Sequence, residues 1–184
     1  LDGLLRGQGG TGDVAAAGHP AGARFVLLDG AIETLDLGEA EAGLGLTARC
    51  GATGAVYDPD DFVDIILTPA RRGLACLPPV HLDAERDPGS GDVAIGWIRQ
   101  TRIGGDAWEP VEVPLGETSE AYRVEILDGG VPVRTIAVGA PAAAYSTAEQ
   151  AADFGAPPAS LHIRVSQVSP TEGPGRATEG VFDV

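Results

Sequence analysis

The densest group of side chains able to do chemistry is Asp58-Pro59-Asp60-Asp61, with Asp64 three residues further on. Carboxylates at this spacing are the raw material of a calcium loop. An EF-type loop needs glycine at its sixth position for the sharp turn, and counted from Asp58 that position is Val63. The cluster therefore reads as a solvated acidic turn ahead of a strand, with a looser calcium site using backbone carbonyls as the second reading. Gly7-Gln8-Gly9-Gly10-Thr11-Gly12 matches G-x-G-x-x-G. That spacing cradles a pyrophosphate only between a full strand and a full helix. Here Asp13-Val14 and a short alanine run are stopped by Gly18-His19-Pro20, which is short for a phosphate-binding helix.

His19, His81 and His162 show none of the spacings of zinc ligands. No serine or cysteine lies in a nucleophile elbow of the G-x-S-x-G kind. Acidic residues are plentiful, so a pair at glycosidase distance would carry weight only with a cleft around it. No catalytic residue, metal ligand or cofactor is predicted, and the chain is read as a non-enzyme. Cys50 and Cys76 are too few for a disulfide framework. They either bridge or remain two buried thiols.

Charge narrows the partners. The formal net charge is −15, and all 12 basic residues are arginine. Such acidity argues against nucleic acid and anionic membrane surfaces as partners. No apolar run approaches the roughly 18 residues of a membrane span. The chain also lacks methionine, so it is expected to be a piece of a longer protein or a processed product.

The elements that would position any site are short strands. The 27 glycines and 14 prolines are spread along the chain, as tight turns between many strands require. Residues 24–29 form an apolar run ending in an Asp29-Gly30 turn signal, with 31–37 as a hairpin partner. Residues 44–50 and 61–68 read as two more strands. Pro69-Ala70-Arg71-Arg72-Gly73 leads out of this small β domain, assigned to residues 1–76.

A second unit is assigned to residues 77–184. Val80, Leu82 and Ala84 alternate as its first strand, and Val93, Ile95 and Trp97 as its second, running to about Thr101. Trp97 is the expected centre of the core. Residues 103–119 form a long insertion containing Asp106 and Trp108. Strands follow at 122–127 and 131–138, a short edge strand at 142–145 and one or two helical turns at 147–154. A strand at 161–168, a Gly/Pro turn at 170–176 and a last strand at 177–184 complete the unit. About seven strands in such a length is the count of an immunoglobulin-like sandwich. The predicted fold class is all-β, a small β domain followed by a β-sandwich.

The second unit resembles a fibronectin type III domain. The residues that carry this are Pro78-Pro79, the Trp97 strand, Tyr122-x-Val124, Ile163-x-Val165-x-x-Val168 and Gly173-x-Gly175. The pattern departs from the family at Leu161, where a tyrosine usually stands, so the tyrosine-corner hydrogen bond is expected to be missing.

A second resemblance covers nearly the whole chain. Leu4-Leu5-Arg6-Gly7 with Gly10-Thr11, the stretch from Gly22 to Asp29, and Trp97-Ile98-Arg99-Gln100-Thr101-Arg102 with Gly105-Asp106-x-Trp108 are similar to stretches of tail-tip proteins. So are Glu120-Ala121-Tyr122-Arg123-Val124 and Ala152-Asp153-Phe154-Gly155-Ala156-Pro157. They resemble the C-terminal part of the large baseplate, or host-specificity, protein of siphophage-like tails and of gene transfer agents. The resemblance implies a trimer at the tail tip of a virion or gene transfer agent particle. It implies contacts with other tail and baseplate subunits, and a host cell-surface glycan or protein as a further partner. Family members often carry a glycoside-hydrolase region upstream, and nothing in this sequence matches it.

Within that reading, Arg102, Asp106 and Trp108 are the candidate binding residues. An aromatic in a polar, Gly/Pro-bounded loop is a common binding anchor. The equal alternative is that Trp108 folds back to cap its own sandwich. A different class of function, a carbohydrate-binding or spacer module of a secreted glycan hydrolase, would be favoured by exposed aromatics in a row on one face, and Trp108 is the obvious loop candidate.

Overall fold

The computed structural model describes residues 7, 11–27, 29–30, 32, 35–52, 54, 58–105 and 113–184. It divides into two compact units, Leu1–Leu74 and Ala75–Val184. Cys76, which the sequence reading put at the end of the first unit, lies in the second.

In the first unit a six-residue helix, α1 (Gly12–Ala17), precedes a two-stranded antiparallel sheet of β1 (Leu46–Cys50) and β2 (Val63–Leu67). Opposed pairs Leu46 and Leu67, Ala48 and Ile65, and Cys50 and Val63 line one face of this hairpin. The other face carries Arg49 opposite Asp64, joined by Nε to Oδ1 at 2.6 Å and Nη2 to Oδ2 at 2.8 Å. None of the described residues of this unit is buried.

The strand expected at 24–29 and its partner at 31–37 are corrected here. Residues 24–27 carry no strand, and Phe25 and Leu27 are each 64% exposed. Leu28, Ala31, Glu33 and Thr34 lie outside the described residues. An apolar run records a fit to a pleated, half-buried surface, and it becomes a strand only beside a ladder partner. Among the described residues no strand pairs with 24–27.

The second unit is a β-sandwich. Its strands are β3 (Val80–Arg86), β4 (Val93–Ile98), β5 (Tyr122–Asp128), β6 (Val131–Val138), β7 (Ala142–Tyr145), β8 (Ser160–Ser169) and β9 (Gly173–Asp183), with α2 (Thr147–Phe154) between β7 and β8. One sheet runs β3-β4-β7 and the other β6-β5-β8-β9, and neighbouring strands in both pair antiparallel. An immunoglobulin constant-type sandwich puts its fourth strand in the sheet of the first. Here the fourth, β6, pairs with β5 across a Gly129-Gly130 turn. The result is a fibronectin type III-like arrangement of three strands against four.

Period-two alternation decides which side chains meet between the sheets. Ala84, Val93, Ile95, Trp97 and Tyr145 come from one sheet, and Tyr122, Val124, Ile126, Leu161, Ile163 and Val165 from the other. Trp97 and Tyr122 meet edge to face, with ring centroids 5.1 Å apart and an interplanar angle of 70°, a favoured aromatic geometry. Leu161, at 1% exposure, is part of this core.

Two boundaries differ from the sequence reading. The Trp97 strand ends at Ile98, because Arg99 to Thr101 leave the sheet to start the insertion. The last strand begins at Gly173, inside the expected turn. Pro174 is accommodated because β9 is an edge strand and its pairing with β8 is irregular there. Gly175 is required by close approach: a Cβ on it would lie 2.5 Å from the carbonyl oxygen of Cys76 and 2.6 Å from its Cβ.

Helix α2 follows capping rules. Ser146 accepts from the Glu149 backbone N–H while the Glu149 carboxylate accepts from the Ser146 N–H, a capping box. Gly155 ends the helix in the left-handed region, with φ +82°.

Candidate functional site

The predicted binding residues lie in the insertion between β4 and β5. Its outgoing stem starts at Arg99 and its returning stem is residues 113–121. Arg99 crosses between them, its Nη2 donating to the Val113 carbonyl at 2.7 Å and its Nη1 to that of Pro114 at 3.0 Å. Arg102 does the same three residues further on. Its Nη2 donates to the Gly116 carbonyl at 3.1 Å and to Glu117 Oε1 at 3.3 Å. Arg102 is thus a half-buried clamp of the stem, while Asp106 and Trp108 lie outside the described residues. A cavity of about 280 Å³ opens between the stems, lined by Leu77, Arg99, Gln100, Thr101, Gly105 and Val113.

Glu117 is the centre of this region, and only 6% of its side chain is exposed. Besides Arg102, it accepts from Ser169 Oγ at the end of β8 at 2.7 Å and from Cys76 Sγ at 3.5 Å. Ser169 and Cys76 are themselves buried. Burial first, then the negative charge and hydrogen bond of Glu117, push the Cys76 thiol up to about 11. The thiol is therefore protonated at neutral pH and acts as a donor. Both cysteines are free, with Cys50 exposed.

A little further along, Glu120 accepts from the Tyr122 hydroxyl at 2.6 Å. The Arg99 Nε stands 4.0 Å from the same carboxylate oxygen. Burial, and then that hydrogen bond, raise the Tyr122 hydroxyl well above the ordinary tyrosine range. The insertion is thereby connected to the Trp97–Tyr122 pair in the core.

At the other end of the sandwich, polar side chains seat α2. Arg134 on β6 forks onto Asp153, Nε to Oδ2 at 2.6 Å and Nη2 to Oδ1 at 3.0 Å, and reaches Glu149 at 3.1 Å. The Tyr145 hydroxyl donates to the same Asp153 Oδ2 at 2.7 Å. These bonds, Arg134 first, hold the Asp153 carboxyl below the usual carboxylate range. Gln150 is fully buried and joins α2 to the β3–β4 turn. Its Nε2 donates to the carbonyls of Tyr145 at 2.9 Å and Gly91 at 3.1 Å, and its Oε1 accepts from Arg86 at 2.7 Å.

The remaining candidates are committed elsewhere. Asp64 is locked to Arg49, whose hydrogen bonds lower its carboxyl. Asp58 caps its own turn, accepting from the Asp60 N–H at 3.1 Å. Among the described residues, no three His, Cys, Asp or Glu side chains gather as a metal set. At the end of the 7–12 glycine motif, α1 begins at Gly12 and spans only six residues. His162 pairs with Glu179 at 2.6 Å on the outer side of β8, and His81 sits at a bulge in β3 with φ 51°. His19 is exposed.

Sequence reasoning missed the polar networks. Ser146-x-x-Glu149 was a readable signal for α2. Nothing local in the sequence marks Cys76, Glu117 and Ser169 as neighbours.

Neither a protein-family model nor a curated protein sequence matches the chain. Among solved structures, it is similar to the crystal structure of the rat CD45 extracellular region, domains d3-d4. The identity is 11% and the TM-score 0.38, over 90% of this chain and 78% of that one.

Proposed function

We propose that the chain is a structural and interaction module of a phage-like or gene transfer agent tail tip, a part of a baseplate protein that assembles as a trimer. Its work is to pack against tail subunits and to present the β4–β5 insertion to a neighbouring subunit or a host-surface ligand. The reading assigns it display and contact, with no bond made or broken.

The observation that carries the reading is the use made of the residues behind the tail-tip resemblance. Arg99 and Arg102 clamp the two stems of the insertion. Glu120 and Tyr122 join the returning stem to the core. Asp153 seats α2 through Arg134 and Tyr145. A module whose sequence signature is spent on rooting one long loop and one helix suits a display role, because binding loops work from rigid scaffolds.

The test is assembly. The chain, expressed within its parent particle, carries Trp108→Ala, and tail incorporation and host adsorption are measured beside the thermal stability of the isolated chain. Loss of assembly or adsorption with unchanged stability supports the reading. A large loss of stability instead makes Trp108 a cap of its own sandwich. Glycan hydrolysis by the chain alone would overturn the display role, and retention on a glycan array without tail association would favour the carbohydrate-binding alternative.

A further inference from the structure

We propose that Glu117 is a latch that holds the returning stem of the insertion on the end of the sandwich, and that this stem opens as a unit of its own while the two sheets stay folded. The inference does not depend on what the insertion binds.

Two observations lead to it. Residues 113–121 carry neither strand nor helix, and the bonds that hold 113–117 run through side chains. Arg99 reaches Val113 and Pro114, Arg102 reaches Gly116, and Glu117 gathers Arg102, Ser169 and Cys76. The sheets, in contrast, are held by continuous ladders. Segments tied by few side-chain contacts open at lower free energy than ladders do. Glu117 also ties the stem to two places distant in sequence, the chain entry at Cys76 and the end of β8 at Ser169.

Cys76 reports on the latch. Its backbone is pinned independently of the stem, because the Arg176 N–H donates to the Cys76 carbonyl at 3.3 Å. Its sulfur, however, faces Glu117. When the stem lifts, the thiol is uncovered and loses the neighbouring negative charge that disfavours the thiolate. Both changes speed alkylation, which proceeds through the thiolate.

The experiment is alkylation of the whole 184-residue chain by N-ethylmaleimide, read at each cysteine by peptide mass spectrometry. Exposed Cys50 is the internal control for reagent. In the native protein, Cys76 reacts more slowly than Cys50, at a rate nearly independent of low urea. Glu117→Gln keeps the shape of the side chain but removes its charge, and is expected to speed Cys76 labelling roughly tenfold or more, the worth of charge-assisted hydrogen bonds. Strand content by circular dichroism stays unchanged. Ser169→Ala removes the bond from Ser169 to Glu117, together with the contacts its Oγ makes to Thr171 and the Glu172 N–H in the turn after β8, and gives a smaller acceleration, roughly threefold to tenfold, which keeps the test open should Glu117→Gln fail to fold. The proposal is overturned if Cys76 labelling in the native chain follows the same urea dependence as global unfolding, or if Ser169→Ala leaves the rate unchanged in a folded protein.

Discussion

Gln150→Leu is the most demanding test of how α2 is held. The side chain is fully buried, and leucine has nearly its volume, so packing is little disturbed. Three hydrogen bonds disappear: two from Nε2 to the carbonyls of Tyr145 and Gly91, and one from Arg86 to Oε1. Arg86 keeps two acceptors, the carbonyls of Gly91 at 2.9 Å and Pro158 at 2.7 Å, so its charge is not stranded. With about 1 kcal/mol for each neutral bond and somewhat more for the charged one, the expected loss is about 3 kcal/mol. For a unit of this size that is a fall in melting temperature of about 10–20 °C.

The assay is urea and thermal unfolding of the full chain followed by circular dichroism, for Gln150→Leu, Arg86→Met and the double variant. Because Arg86 and Gln150 share one network, the two losses should fall short of adding by about 0.5 kcal/mol or more. A loss below about 1 kcal/mol for Gln150→Leu, or strictly additive losses, would refute the claim that this network seats the helix.

Other predictions concern close approach and pH. Gly175→Ala is expected to cost about 1–3 kcal/mol by urea denaturation, because its Cβ would press on the Cys76 backbone. Gly96→Ala, in mid-strand with nothing within 4 Å of the new Cβ, should be neutral or stabilising by up to about 1 kcal/mol. Asp153 has a folded-state pKa below its unfolded value, so its contribution is present above about pH 4 and is lost as pH falls through the folded value. In Asp153→Asn the acid-side decline of the unfolding midpoint should accordingly be shallower than in the native chain. For Cys76 the folded value is raised, to about 11, so its contribution is complete below the unfolded value near 9.0 and lost as pH rises through the folded one. An ultraviolet titration should show a thiolate step near pH 11, which Cys76→Ser abolishes.

The sandwich was legible wherever a strand buries one face. Val93, Ile95 and Trp97 alternate, as do Leu161, Ile163 and Val165, and all six are buried as their spacing requires. The same kind of reading failed at 24–27. There the apolar residues are consecutive and carry no facial signal, and their state depended on a partner no local pattern could supply. At β9 the glycine and proline of 173–175 read as a turn. An edge strand tolerates both, and the close pass of Cys76 makes Gly175 necessary. Of the candidate binding residues, Arg102 was picked from its place beside the insertion, and the structure gives it a clamp's role that loop composition does not encode.

The sequence alone was enough for the all-β class, the seven strands of the second unit, the helix at 147–154 and the burial of Trp97. Each of these rests on periodicity or capping within a few neighbouring residues. Tertiary structure alone decided which polar groups meet. Glu117 joins Cys76 and Ser169, which are 41 and 52 residues away, and Gln150 joins Arg86, 64 residues away. Such pairings come from the crossing of strands between two sheets, where a side chain lacking water must take whatever partner the topology brings to it.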